Sequence, residues 1–369
     1  QAEDGIRDVE RSRGLGDVYK RQASMDWKGI RFTDNSLDAV FDSNGNYISG
    51  SIIKHARIEH CGPGLQIYDA SPYITSNVFQ DVTDEGIDIY RSETLLELNL
   101  IRNCNLGANN FNGQIFGNII EDNLSGIGIY VNGGSVIGNI MRYNHSGGIN
   151  IMNGFISNNS ICHNNGYYFG AVNFGYDVNS NTYFKNNTIM SNEGGISSYY
   201  TVGILDSNNI INNIHSSSQF EFQKLSCTDI YAQNNYWGTT NTDSIDAWIW
   251  DYYDDFDLGI VYYEPFENTP IVDAPGFLYQ VEFNPPPPIG CEVDTFNLIF
   301  SKPMDISIQP EVSFGVCDPW TQHIIEGDWV DSTHWQGSYV FNIMTGDGIN
   351  HLRATTATVS YTHLTLPTN

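Results

Sequence analysis

The stretch DVTDEGIDIYR gathers the side chains best suited to chemistry: Asp81, Asp84, Glu85, Asp88 and Arg91. Strand alternation through GIDIY turns Ile87 and Ile89 inward and therefore Asp88 outward. If a repeat of about 21 residues stacks on itself, Glu59, His60 and Gln66 arrive beside this stretch from the coil before. Arg102 and Asn103 arrive from the coil after. Asp84, Glu85, Asp88 and Arg102 are then the candidate catalytic set, with carboxylates for acid–base work and a cation to offset negative charge. Glu59, His60, Gln66, Asp81 and Arg91 are the candidate binding residues around them. Asp84 and Asp88 are also hard oxygen ligands of the kind Ca²⁺ takes, although the fixed spacing of a calcium loop is absent. A solvated charged face, with Glu59 and Arg102 in salt bridges, would use the same residues for no chemistry.

Other motifs are sparse. DYYDDFD (Asp251 to Asp257) fits an acidic surface loop or a structural Ca²⁺ site. His145, His163 and His215 show no metal-ligand grouping, and no GxSxG, HExxH or phosphate-binding loop occurs. The six cysteines include no CxxC pair, which argues against a zinc site of the usual spacing. Cys291 and Cys317 could form a disulfide or remain two thiols.

The elements that would position these groups are repeats. ITSNVFQD, IFGNIIEDN, VIGNIMRYN and FKNNTIMSN each set an Asn between short apolar runs, and GIDIY, GIGIY or GINI follows several of them. Alignment gives a column Asn77, Asn99, Asn118, Asn139, Asn159, Asn187, Asn209 and Asn235, with spacings of 22, 19, 21, 20, 28, 22 and 26. Ala56 extends it backwards by one coil. This period suits one turn of a parallel β-solenoid, in which strands too short to bury a face alone stack on their own copies. A recurring Asn can stack as an amide ladder, each side chain satisfying the next. A second ladder is expected at Asn123, Asn144, Asn164 and Asn192. Inward apolar pairs are read at Ile127 and Ile129, then Ile149 and Ile151. Cys61 and Cys104 fall two coils apart, roughly 10 Å, too far to bridge. The longer spacings imply insertions around residues 165–177 and 216–224, rich in Tyr167, Tyr168, Phe169, Phe174, Tyr176, Phe220 and Phe222, where binding could be placed.

Charge narrows the partners. With 16 Lys+Arg against 43 Asp+Glu, the formal charge is −27. Such a surface repels phosphate backbones and anionic lipid, so neither nucleic acid nor a membrane surface is an expected partner. It also repels anionic polysaccharides unless a cation such as Ca²⁺ bridges them. No apolar run is long enough for membrane insertion.

Both ends read differently from the rest. QAEDGIRD and SRGLGDVYKRQ translate a flow-cell primer and a transposase adapter used in short-read sequencing, and VSYTHLTLPT translates the same adapter in reverse. Residues 1–22 and 359–369 are therefore expected to be adapter-derived. Residues 23–240 are read as a parallel β-helix, 241–270 as its cap and linker, and 271–358 as a truncated β-sandwich. Any signal peptide or sorting signal would lie outside the insert.

The Asn-centred coils resemble the pectate-lyase-like superfamily of right-handed parallel β-helices, over about Ser51 to Gly238. NNYWG (Asn234 to Gly238) looks like the closing coil of such proteins, and Ile245 to Phe266 like the cap and final strand that accompany it. Glu267 to Gly276 reads as a linker. Beyond it, VEFNPPPPIG, FSKPMD (Phe300 to Asp305) and the strands that follow resemble bacterial Ig-like domains. The resemblance implies an all-β chain, secreted or on a bacterial cell surface and monomeric, with the Ig-like domain as spacer. The superfamily hosts lyases, hydrolases, epimerases and non-catalytic binders. The arginine-containing motif of pectate lyases and the aspartate pairs of polygalacturonases have no match here. Two functions are therefore expected: a non-catalytic module that binds or displays a polysaccharide or cell-surface glycan, or a carbohydrate-active enzyme. The enzyme would be a Ca²⁺-dependent lyase or epimerase, or a glycoside hydrolase, working on the outer face.

Overall fold

Most coils turn after strands of only three to six residues, and every strand series directs apolar side chains into a shared interior. The computed structural model describes residues 27–166, 170–175, 182–200, 202–214, 220–286, 290–316, 320–345, 348–355 and 364–368. Residues 1–22, most of the C-terminal adapter-like segment, and Tyr167, Tyr168, Phe169, Tyr176, His215 and Cys317 lie outside these.

Three series of parallel strands form the sides of a β-solenoid. On one side eight strands run from Arg57–Glu59 through Val78–Gln80 and Leu100–Arg102 to Asn209–Ile211. Their central residues make one inward column, Ile58, Phe79, Ile101, Ile120, Met141 and onward, all buried. A second side carries Tyr73–Thr75, Leu95–Glu97 and Gln114–Phe116. The third carries Ile30–Phe32, Leu65–Tyr68, Glu85–Tyr90, Leu106–Asn110 and their successors. There Leu65, Ile87, Ala108, Ile129 and Ile149 stack inward. Ile127 lies before this strand and only half-buried, because the corner at Leu124 and Ser125 is longer than in GIDIY; Ile129 and Val131 take the inward places.

The corners explain the repeat. At one of them Ser76, Leu98, Gly117, Gly138, Asn158, Asn186 and Ser207 have φ between 55 and 67, the left-handed region, and each precedes a ladder residue. Asn139 shows the pattern. Its Oδ1 accepts the backbone N–H and the Nδ2 of Asn118 at 2.8 and 3.0 Å, and its Nδ2 donates to Ile115 O, Ile137 O and Asn159 Oδ1. The same bonds link Asn77, Asn99, Asn118, Asn139, Asn159, Asn187, Asn208 and Asn235. Ala56 N–H donates to Asn77 Oδ1 at 2.8 Å, as its place in the column requires. One position differs: Asn208, after left-handed Ser207, is the rung, and Asn209 faces outward to bond the backbone of Ile271. Two adjacent asparagines made the wrong one fit the spacing.

The second ladder joins Asn123, Asn144, Asn164 and Asn192, and continues to Asn213. It ends on Glu221, whose carboxylate accepts Asn213 N–H at 3.0 Å and Nδ2 at 2.6 Å. Cys61 and Cys104 occupy the same corner column two coils apart, buried and without a disulfide. Of the aromatic residues read as insertions, Phe174 and Phe222 are instead fully buried rungs of the third side.

Helix Thr242–Trp248, capped by Asn241, leads into Ile249–Trp250, which pairs on Phe222–Lys224. This covers the strand edge that the last coil would otherwise expose. The stretch read as a linker is anchored: Thr188 Oγ1 donates to Pro275 O at 2.8 Å, and Phe277 joins the outward apolar residues Cys162, Met190 and Ile211 in a small core. Those side chains need cover, which a free linker would not supply.

Seven described strands between Leu278 and Thr368 form an antiparallel sheet. Strand His323–Trp329 pairs with Glu311–Gly315 by its first half and with His334–Val340 by its second. The sheet folds over one core that includes Phe296, Phe314, Trp335 and Leu352. Its edge strand, Leu364–Thr368, comes from the adapter-like segment and pairs with Gly348–Thr355. Cys291 is exposed and unbonded.

Burial pushes the Glu221 carboxyl up to about 7 from 4.5, against the weaker pull of the two Asn213 donors. The folded state therefore holds a proton that the unfolded state releases. Its contribution is fully present below about pH 4.5 and lost as pH rises through about 7. The loss is about 3 kcal/mol. Thermal melts should show stability falling across that window in the native protein and a flattened slope in Glu221→Gln. An identical slope in both would exclude Glu221 as the source.

Candidate functional site

The third side of the solenoid carries an outward row in which Arg31, Gln66, Asp88, Asn109, Tyr130 and Asn150 are register partners. Asp88 sits in the middle of a hydrogen-bonded group. Its Oδ2 accepts Tyr68 OH at 2.6 Å and its Oδ1 accepts Asn109 Nδ2 at 3.0 Å. Gln66 Nε2 donates to the Tyr68 oxygen at 3.3 Å, and the Arg31 guanidinium lies 4.7 Å from the Tyr68 ring centroid.

Beside this row runs a strip of rings. Tyr68, Tyr90 and Phe111 occur at the same strand end in successive coils, with centroids 6.0 and 5.3 Å apart. Arg91 lies over the Tyr90 ring at 4.9 Å and pairs with Asp69 at 2.8 Å. A shallow hollow of about 530 Å³ continues from Phe111, lined by Arg91, Ser92, Glu93, Asn112 and Gly134. The rings escaped the sequence reading although their 22- and 21-residue spacing is that of the repeat.

At the other end of the same strand, Glu85 is half-buried, and burial first, then the hydrogen-bonding and charged Asp84 and the nearby charge of Asp88, push its carboxyl up. Asp84, Glu85, Asp88 and Gln66 therefore share this side of the solenoid, as the sequence suggested. Glu59, His60, Asp81, Arg102 and Asn103 do not. They belong to the neighbouring side and its corner, across the turn from Asp81 to Asp84. There Arg102 donates to Gln80 Oε1 at 3.0 Å, and its register partners are Gln80 and Glu121. Glu59, His60 and Asp81 meet at the corner, one donor atom of each lying within 4.8 Å of the others. Both His60 and Asp81 hold the left-handed backbone of that corner, with φ of 56 and 53.

Asp251, in the acidic cap loop, is buried and folds the loop by accepting the N–H groups of Tyr253 and Val261. A separate hollow of about 690 Å³ lies there, walled by acidic residues and by Tyr253, Tyr262 and Tyr263. No protein-family model, curated protein or solved structure matches the chain.

The Tyr68 phenol is pushed up to about 12, first by the hydrogen bond it donates to Asp88, then by burial and by the charge of Asp88. In Asp88→Asn it should ionise nearer the ordinary tyrosine value, read by NMR of ring-labelled tyrosine. An unchanged titration would show that the phenol and carboxylate are not paired.

Proposed function

We propose that the chain is a carbohydrate-binding module of a secreted or cell-surface bacterial protein, holding an extended glycan along the outer face of its third side. The observation that supports this most is the Tyr68–Tyr90–Phe111 strip beside the hydrogen-bonded row of Gln66, Asp88 and Asn109. Rings offer apolar surface to the C–H faces of a sugar, and carboxylate and amide groups match its hydroxyls. A chain running along the stack would meet the same pair of features on successive coils. In this reading the solenoid is similar to pectate-lyase-like β-helices, and the C-terminal sheet is an Ig-like spacer. The protein acts as a monomer and leaves nucleic acid and membrane untouched.

A second reading, a carbohydrate-active enzyme, draws on the raised carboxyl of Glu85 beside Asp84 and Asp88, an arrangement suited to sharing a proton. It requires Ca²⁺ if the substrate is anionic.

Affinity electrophoresis through gels containing neutral or uronate polysaccharides separates the two. The binding reading expects retardation by at least one polymer, no release of reducing or unsaturated ends, and binding weakened about fivefold or more in Tyr90→Ala. Retardation unchanged in Tyr90→Ala and in Phe111→Ala would remove the strip from the site. Cleavage that needs Ca²⁺ and disappears in the Asp84→Asn, Asp88→Asn double variant would replace binder with enzyme.

A further inference from the structure

We propose that Glu59, His60 and Asp81 bind a divalent transition-metal ion of the zinc type, at a corner of the solenoid distinct from the glycan face and independent of its function. The three donor atoms, one nitrogen and two carboxylate oxygens, lie within 4.8 Å of one another. Zinc takes imidazole nitrogen and carboxylate oxygen at about 2.0–2.2 Å, which sets tetrahedral donors roughly 3.4 Å apart. Side-chain rotations that move the donor atoms together by up to about 1.4 Å close the present spacing to that value. The imidazole selects against Ca²⁺, which prefers an all-oxygen shell. Three protein ligands leave a position open to water or to a second molecule.

Two features make this more than a meeting of charges. The Asp81 carboxylate is oriented from behind. Gln80, itself buried, donates to Asp81 Oδ2 at 2.8 Å, and Arg102 fixes that amide by donating to its oxygen at 3.0 and 3.3 Å. Asn103 Nδ2 approaches Asp81 Oδ1 at 3.4 Å. Such supporting bonds hold a ligand's direction in metal sites, and each carboxylate oxygen retains a lone pair for a metal. On the other side, no hydrogen bond or ion pair engages the His60 imidazole among the described residues, so either ring nitrogen can serve. Glu59 Oε2 takes Arg57 Nε at 2.5 Å, leaving Oε1 available. Arg102, read from sequence as catalytic, becomes a positioning residue here.

Tag-free, chelator-stripped protein should bind a single equivalent of Zn²⁺ by calorimetry, and Co²⁺ should give a visible absorption band. His60→Asn keeps a residue that tolerates the left-handed backbone while removing the nitrogen ligand. It and Asp81→Asn should each lose tenfold or more in affinity, on the order of what disturbed metal sites show, with unchanged melting in chelator. Stoichiometric Zn²⁺ binding that survives both substitutions, absence of Zn²⁺ binding, or tighter binding of Ca²⁺ than of Zn²⁺ would overturn the assignment.

Discussion

Where a coil bends, the backbone cannot complete its ladder with neighbouring strands, yet the bend is buried, and buried N–H and C=O groups must be paired. A stacked asparagine supplies the missing partners in both directions. Its oxygen takes two donors from the coil before, and its NH₂ reaches two backbone carbonyls and the oxygen of the next asparagine. The residue ahead of it adopts the left-handed conformation that swings its side chain inward. This arrangement fixes the register of all three sides at once. Where the corner column lacks a second asparagine below it, the structure uses Glu221, and the buried carboxyl carries the cost of ending the ladder.

A register fixed at the corners makes outward residues repeat as straight rows. That is why Gln66, Asp88 and Asn109 meet, and why three rings separated by whole coils line up. It also keeps the rows apart. Arg102 and Asp88 are close in sequence, but a corner stands between their strands, and each bonds along its own side. One short stretch, residues 80–90, thus serves two surfaces: a metal-ligand corner at Asp81 and a polar, ring-flanked face at Asp88.

The period of the repeat was legible from sequence because asparagine is both the ladder residue and rare in strand interiors. Both ladders and the inward Ile87 and Ile89 follow from it. What the period does not give is the side of the coil on which a residue lies. That depends on where corners fall, and a corner can lengthen, as at Leu124 and Ser125, without disturbing the spacing of the ladder. For that reason the candidate residues read as one cluster in the sequence, although the structure divides them between two surfaces. The Asn208–Asn209 pair shows the same limit at single-residue scale: only the left-handed residue ahead identifies the rung. Phe174 and Phe222 look like loop residues by spacing, yet lie on strands paired into the stack.

The central claim is that the amide ladder, and not the apolar column alone, holds the coils in register. The direct measurement compares the unfolding free energies of Asn139→Leu and Gln114→Leu, the latter changing an exposed strand residue in the preceding coil. Leucine at 139 adds apolar volume but strands the backbone and side-chain donors of Asn118, so a loss of about 3 kcal/mol or more is expected, against little change at 114. Equal tolerance of leucine at both positions would contradict the account.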